Sequence, residues 1–272
     1  MRKFALILAV AAVAALGTSC TQLRARDQIN KGVAAFKSAL YPEAVEHFKT
    51  AVELDPNFIT ARLYLATAYM QQYVPGVPTE ENVKMADEAL RQFNMVLDQK
   101  PTDTVAIASI ASLYLSQKKW DEAEAQYRKL INLDPHNRDA YYGIGFIVWS
   151  KWYVPYQTAR VNAGMKQEDT GIIKDKKIRE ELKAQYDAVI DEGLKNLDKA
   201  LQIDPDYVDA MSYENLLIRE RADLAADKKD YDAQIAIADD WMNKALDKKK
   251  ELAARKDKTG GGGITMTDTA TK

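Results

Sequence analysis

Residues 111–135 read ASLYLSQKKWDEAEAQYRKLINLDP, and four of them decide the fold. Ala123, Tyr127 and Leu130 stand at spacings of four and three, which places them on one face of a helix. Pro135 follows twelve places after Ala123 and ends that helix, because proline drives the residue before it out of helical geometry. Ala111, twelve places before Ala123 and followed at plus three by Tyr114, marks a preceding helix of the same kind. The stretch therefore predicts two packed helices joined by a short turn.

Working outward, the same phrase recurs three more times: Ala44, Phe48, Ala51, Pro56; Ala89, Phe93, Val96, Pro101; and Gly193, Leu197, Ala200, Pro205. The intervals between the prolines are 45, 34 and 70 residues, which is one 34-residue period with added segments of 11, 0 and 36. A period of 34 with a helix pair per unit resembles the tetratricopeptide repeat family. Gly32 lies twelve before Ala44, so this unit and the one at 111–135 are uninterrupted. Leu65, Ala66 and Tyr69 supply the first helix of a second unit, Ile144 and Gly145 that of a fourth, and Ala238, Met242 and Ala245 keep the spacing in a degenerate fifth.

The resemblance implies an all-α chain, a right-handed α-α superhelix, with long insertions between the helices of a pair. Residues 20–255 form the solenoid of about five units, the insertions fall near 71–82 and 150–190, and 256–272 form a glycine- and threonine-rich tail. Small residues let paired helices approach, while Phe48, Phe93 and Tyr127 fill the gap to the next unit. The insertions share Tyr-Val-Pro, at Tyr73–Pro75 and Tyr153–Pro155, read as a common helix exit, with a paired recognition element as the alternative. Beyond Gly171, apolar residues at helical spacing extend the second helix of the fourth unit backward by about five turns. Trp241, Ala245 and Leu252 are expected to cap the last apolar face.

Composition is that of a folded chain: 47% of the 272 residues are hydrophobic and 29% charged. The net charge of −2, about −4 without Arg2 and Lys3, and the lack of a basic stripe interleaved with aromatics give no basis for nucleic-acid binding.

The first twenty residues read as an address. Arg2 and Lys3 precede a thirteen-residue apolar run, Phe4–Leu16, too short to span a bilayer of about 30 Å. Cys20, the single cysteine, closes the run, and the segment resembles a bacterial lipoprotein signal in which residues 1–19 are removed and Cys20 carries lipid. Gly17 stands where that pattern usually has Leu, and an ordinary secretory leader cut near the same point is the alternative. Both readings place the protein outside the cytoplasm. Thr21 after the cysteine implies, by the same resemblance, the outer membrane, facing the periplasm.

In the resembling family the first helix of each unit lines a concave groove that holds a protein or peptide partner. Carried onto this chain, the lining includes Tyr64, Thr67, Ser109, Ser112, Tyr142, Phe146, Trp149, Tyr213 and Arg219. Tyr142, Phe146 and Trp149 lead as partner anchors, since aromatic rings offer large contact areas at low entropic cost; burial by the long insertion is the competing assignment.

The sequence shows no phosphate-binding glycine loop, nucleophile elbow or paired-histidine motif, and His47 and His136 have no companions at metal-ligand spacing. No catalytic residue, cofactor or metal is expected, and nothing sets an oligomeric state. The reading is a membrane-anchored adaptor of the bacterial cell envelope. A cell-wall glycan-binding accessory or enzyme, using the aromatic fourth unit, is the alternative.

Overall fold

A computed structural model describes residues 21–259 apart from residue 167; residues 1–19, Cys20 and the tail from residue 260 lie outside the described residues. Among those described there are ten helices and no strand. Helix α1 spans 21–37, followed by α2 (Tyr41–Leu54), α3 (Ile59–Gln72), α4 (Glu80–Gln99), α5 (Thr104–Ser116), α6 (Trp120–Leu133), α7 (Arg138–Asn162), α8 (Lys176–Ile203), α9 (Val208–Ala222) and α10 (Lys228–Thr259). They form five successive pairs. The chain divides into an N-terminal unit ending at Asp134, with α1–α6, and a C-terminal unit from Pro135, with α7–α10.

The proline stops act as the sequence implies, four times over. The residues before the prolines, Asp55, Lys100, Asp134 and Asp204, leave helical geometry with φ between −141 and −133°. Each still donates its backbone N–H to the carbonyl of Ala51, Val96, Leu130 or Ala200, the third position of the phrase, and so closes the last turn. Five residues after each proline stands an alanine, Ala61, Ala106, Ala140 or Ala210, with no exposed surface. Side-chain oxygens of Thr79, Asp103, Asn137 and Asp175 cap the N-termini of α4, α5, α7 and α8.

The small residues set the helix spacing. A Cβ built on Gly32 would lie 2.5 Å from Phe48 Cε1, and one on Gly145 would lie 2.5 Å from Leu197 Cγ. In each case the aromatic or leucine of the phrase rests on the bare backbone of the paired helix; Phe48, expected to fill the gap to the next unit, does so as well by stacking on Tyr64 of α3. Phe48 and Phe93 are buried in the N-terminal core, Leu197 and Trp152 in the C-terminal one.

The two insertions are built differently. The short one is a loop between α3 and α4, held by the buried Asn82: its side chain accepts from Val74 N (2.7 Å) and donates to the carbonyls of Val74 (2.8 Å) and Val77 (2.7 Å). The long one is mostly helix. α7 runs on through Pro155 to Asn162, and α8 begins at Lys176, seventeen residues before Gly193, in line with the expected backward extension. Tyr73 does end α3, but Tyr153–Pro155 lie inside α7, which corrects the expectation of a shared helix exit. The reason is packing. Trp152 and Tyr156, flanking that tripeptide, stack at 5.1 Å, and Trp152 meets Tyr186 of α8 at 5.3 Å, so burial on both sides carries the helix past the proline.

Trp241 and Ala245 pack inward from α10 as expected, whereas Leu252 stays 39% exposed along the cleft between α9 and α10. α10 also continues to Thr259, past the expected start of the tail at residue 256.

Candidate partner-binding face

The C-terminal unit concentrates its aromatic residues on one stripe of α7. Tyr142, Phe146, Trp149 and Tyr153 follow at spacings of four, three and four, so their side chains climb one face. Neighbouring ring centroids are 6.3, 6.2 and 5.1 Å apart. From α9, Tyr213 sets its ring edge against Tyr142 (5.8 Å), Phe146 (5.1 Å) and Trp149 (5.1 Å), and Tyr207 closes the end against Tyr142 at 5.1 Å. Each such pair adds about 0.5–1.5 kcal/mol beyond its buried area. Tyr142, Phe146, Trp149 and Tyr213 are half-buried and Tyr153 is exposed. The rings thus pack against one another and still present surface.

Polar groups anchor the stripe from beneath. Trp149 Nε1 donates to Glu220 Oε1 at 3.2 Å. Glu220 is buried, and loss of water pushes its carboxyl up to about 7, with the Trp149 indole N–H pulling the other way. The Tyr207 hydroxyl donates to Asp139 Oδ1 at 2.8 Å and the Arg138 guanidinium lies 4.7 Å over the Tyr207 ring. Burial, followed by the bond to Asp139, raises the Tyr207 pKa, so the hydroxyl keeps its proton.

Further along α7 the long insertion is tied down. Tyr156 OH donates to Asp223 Oδ2 (2.8 Å), and the buried Arg160 donates to Tyr156 OH (3.2 Å), to Asp223 and to the carbonyls of Lys166 and Asp169. Ile173 N donates to Asp223 O at 2.9 Å. The segment 163–175 is thereby fastened to the C-terminal end of α9. Burial raises the Asp223 pKa, opposed by the bonds from Tyr156 and Arg160. The insertion braces the helix that carries the aromatic stripe, whose rings stay half-buried.

Of the residues expected to line a groove, Tyr142, Phe146, Trp149 and Tyr213 are brought together. Arg219 lies on α9 but turns its guanidinium to Asn215 (3.3 Å) and to Asp239 of α10 (2.5 Å). Tyr64, Thr67, Ser109 and Ser112 belong to the N-terminal unit. There Tyr64 stacks on Phe48 at 5.4 Å, the Thr67 hydroxyl donates to Leu63 O at 2.8 Å, Ser109 is half-buried and Ser112 is exposed. Sequence reasoning passed over Tyr153, which continues the four-three-four spacing, and Tyr207, two after a repeat proline. Glu220 carried no local signal, because its partner Trp149 is 71 residues away. Among the described residues, no three His, Cys, Asp or Glu side chains group as metal ligands, and no helix is long and apolar enough to cross a membrane.

Comparison with known proteins agrees with this architecture. A family model described as TPR repeat matches residues 111–151. Among solved structures, the MamA protein is 14% identical with a TM-score of 0.56, over 89% of this chain and 98% of that one. YrrB, described as a TPR protein with an unusual peptide-binding site, is 15% identical with a TM-score of 0.50, over 82% and 90%. Among curated proteins, Hsp70-Hsp90 organizing protein 3 of Arabidopsis thaliana is 25% identical over 120 residues, and Hsp70-Hsp90 organizing protein of Triticum aestivum is 25% identical over the same length. The matched region is 44% of this chain and about a fifth of either relative, 20% and 19%. With the 34-residue period, the proline stops and the glycine contacts, these similarities show a tetratricopeptide repeat at residues 111–151 within a chain that has the helical-repeat fold of its solved neighbours.

Proposed function

We propose that this protein is a membrane-anchored, non-enzymatic scaffold of the bacterial cell envelope, which binds a protein or peptide segment on the aromatic face of α7 and α9. The observation that carries the reading is the stripe Tyr142, Phe146, Trp149 and Tyr153 with Tyr213 set against it. Rings already held by their neighbours and, at Trp149, by a hydrogen bond to Glu220 have surrendered their rotamer freedom before any partner arrives. Binding then costs less ordering entropy, which is what makes rigid aromatic clusters effective anchors. The description of YrrB as a peptide-binding TPR protein and of the plant relatives as organizers of Hsp70 and Hsp90 supports a protein-binding use of such repeats. The anchor rests on the sequence alone: Cys20 at the end of a secretory-type leader, with the periplasmic side of the outer membrane as the proposed location.

The test uses the full chain in cells. Replacing Phe146 and Tyr153 together by Ala should reduce cross-linking to its envelope partner at least tenfold while circular dichroism shows the helices intact, with a lowered melting temperature because Phe146 gives up its contacts to Tyr142, Trp149 and Tyr213. Cross-linking at the original level, or retention of glycan fragments in place of any protein, would overturn the binding assignment. Cys20→Ala should move the protein from the membrane to the soluble fraction, and continued membrane association would remove the lipid anchor.

A further inference from the structure

The outer side of α10 carries a second, separate stripe. In the C-terminal unit the groove between α7 and α8 is filled by α9, whose Tyr213 rests on Tyr142, Phe146 and Trp149. Seventy residues on, the equivalent positions of α9 are Ser212, Leu216 and Arg219. Among the described residues no eleventh helix follows to cover the α9–α10 groove, which forms a cleft of about 630 Å³ lined by Val208, Ser212, Leu216, Met242, Leu246 and Lys249. The terminal repeat of a soluble array ordinarily turns a polar face outward. Here Met242 and Leu246 are 40% and 47% exposed.

The spacing along α10 says what fits. Ile235, Asp239, Met242, Leu246, Lys249 and Ala253 follow one another by four, three, four, three and four, the seam of a heptad coiled coil. The seam is its own antiparallel complement. Turned end for end about its midpoint, it sets Met242 against Leu246, Asp239 against Lys249 and Ile235 against Ala253, so apolar meets apolar and acid meets base. α10 is also about twice as long as α9, 32 residues against 15, and outreaches the helix it packs on.

We propose that a second copy of this chain occupies the groove, α10 pairing antiparallel with α10 of the copy about a two-fold axis. The contact is isologous: each seam residue of one chain meets its complement on the other, and the pairing closes on itself as a dimer. Asp239 stays bonded to Arg219 within its own chain and takes Lys249 of the copy on its other side.

Sedimentation velocity of the full chain carrying Cys20→Ala, so that lipid plays no part, should show a dimer at micromolar concentration. Lys249→Asp sets carboxylates against each other twice and should weaken dimerisation at least tenfold; Met242→Glu with Leu246→Glu should leave monomers. An equal mixture of Lys249→Asp chains and Asp239→Lys chains, each shown folded by circular dichroism, should recover a heterodimer, since both contacts then pair an acid with a base, one as in the wild type and one reversed. A wild-type monomer at tens of micromolar, a dimer indifferent to these substitutions, or folded charge variants that fail to pair would overturn the proposal.

Discussion

Trp149 donates its indole N–H to Glu220 across 3.2 Å, joining the aromatic stripe of α7 to a carboxyl buried near the end of α9. The bond gives one side of the carboxyl a partner in a place that water does not reach. It offsets only part of the cost of burying a negative charge, and the protonation of Glu220 therefore follows pH near neutrality.

Burial raises the Glu220 pKa from 4.5 to about 7, so the folded protein holds this proton where the unfolded chain has released it. Stability is unaffected by this group below about 4.5, falls as pH climbs from there toward 7, and carries the full cost above it. Glu220→Gln keeps an acceptor for Trp149 and removes the charge. The variant should gain on the wild type as pH rises, by about 3 kcal/mol at pH 8. Urea denaturation at pH 5 and pH 8 checks this, and a constant difference between the two would reject it. Trp149 fluorescence should titrate near neutrality in the wild type and not in the variant.

Gly145→Ala tests the repeat contact itself. The added methyl would stand 2.5 Å from Leu197 Cγ, a branch carbon with no free end to swing away. The helices must separate, at a cost of about 1–3 kcal/mol, even though alanine favours a helix more than glycine does. A melting temperature equal to or above that of the wild type would mean that α7 and α8 do not meet this closely in solution.

Asp223→Ala should cost about 3–5 kcal/mol, because it leaves the buried guanidinium of Arg160 without its carboxylate. Hydrogen exchange should at the same time accelerate across 163–175, the segment that Arg160 and Asp223 hold. Replacing both partners with apolar residues, Arg160→Met with Asp223→Leu, should cost less than the single change. A double variant as unstable as Asp223→Ala would show that hydrogen bonds to the loop carbonyls, and not the stranded charge, dominate.

Much of the fold was legible from residues in order along the chain. Four prolines ended four helices at the expected place, Gly32 and Gly145 stood where paired helices approach closely, and α8 began about five turns before Gly193. These features are local or follow from the period: a proline acts on its neighbour's backbone, and spacings of three and four define a helix face whatever covers it. The candidate face was legible as a set of aromatic residues but not as an arrangement. Which rings stay half-exposed was decided by Tyr213, reaching back from α9, and by Glu220, 71 residues from the indole it binds.

The sequence by itself determined the helix pairs, the four ends set by the repeat prolines and the small residues at which paired helices cross. The tertiary structure alone decided that α7 passes through Pro155, that Trp152 is buried while Tyr153 next to it is exposed, and that α10 leaves a seam uncovered. The physical reason is that periodicity specifies which side of a helix is apolar, whereas burial depends on what lies against that side, and those neighbours come from distant parts of the chain.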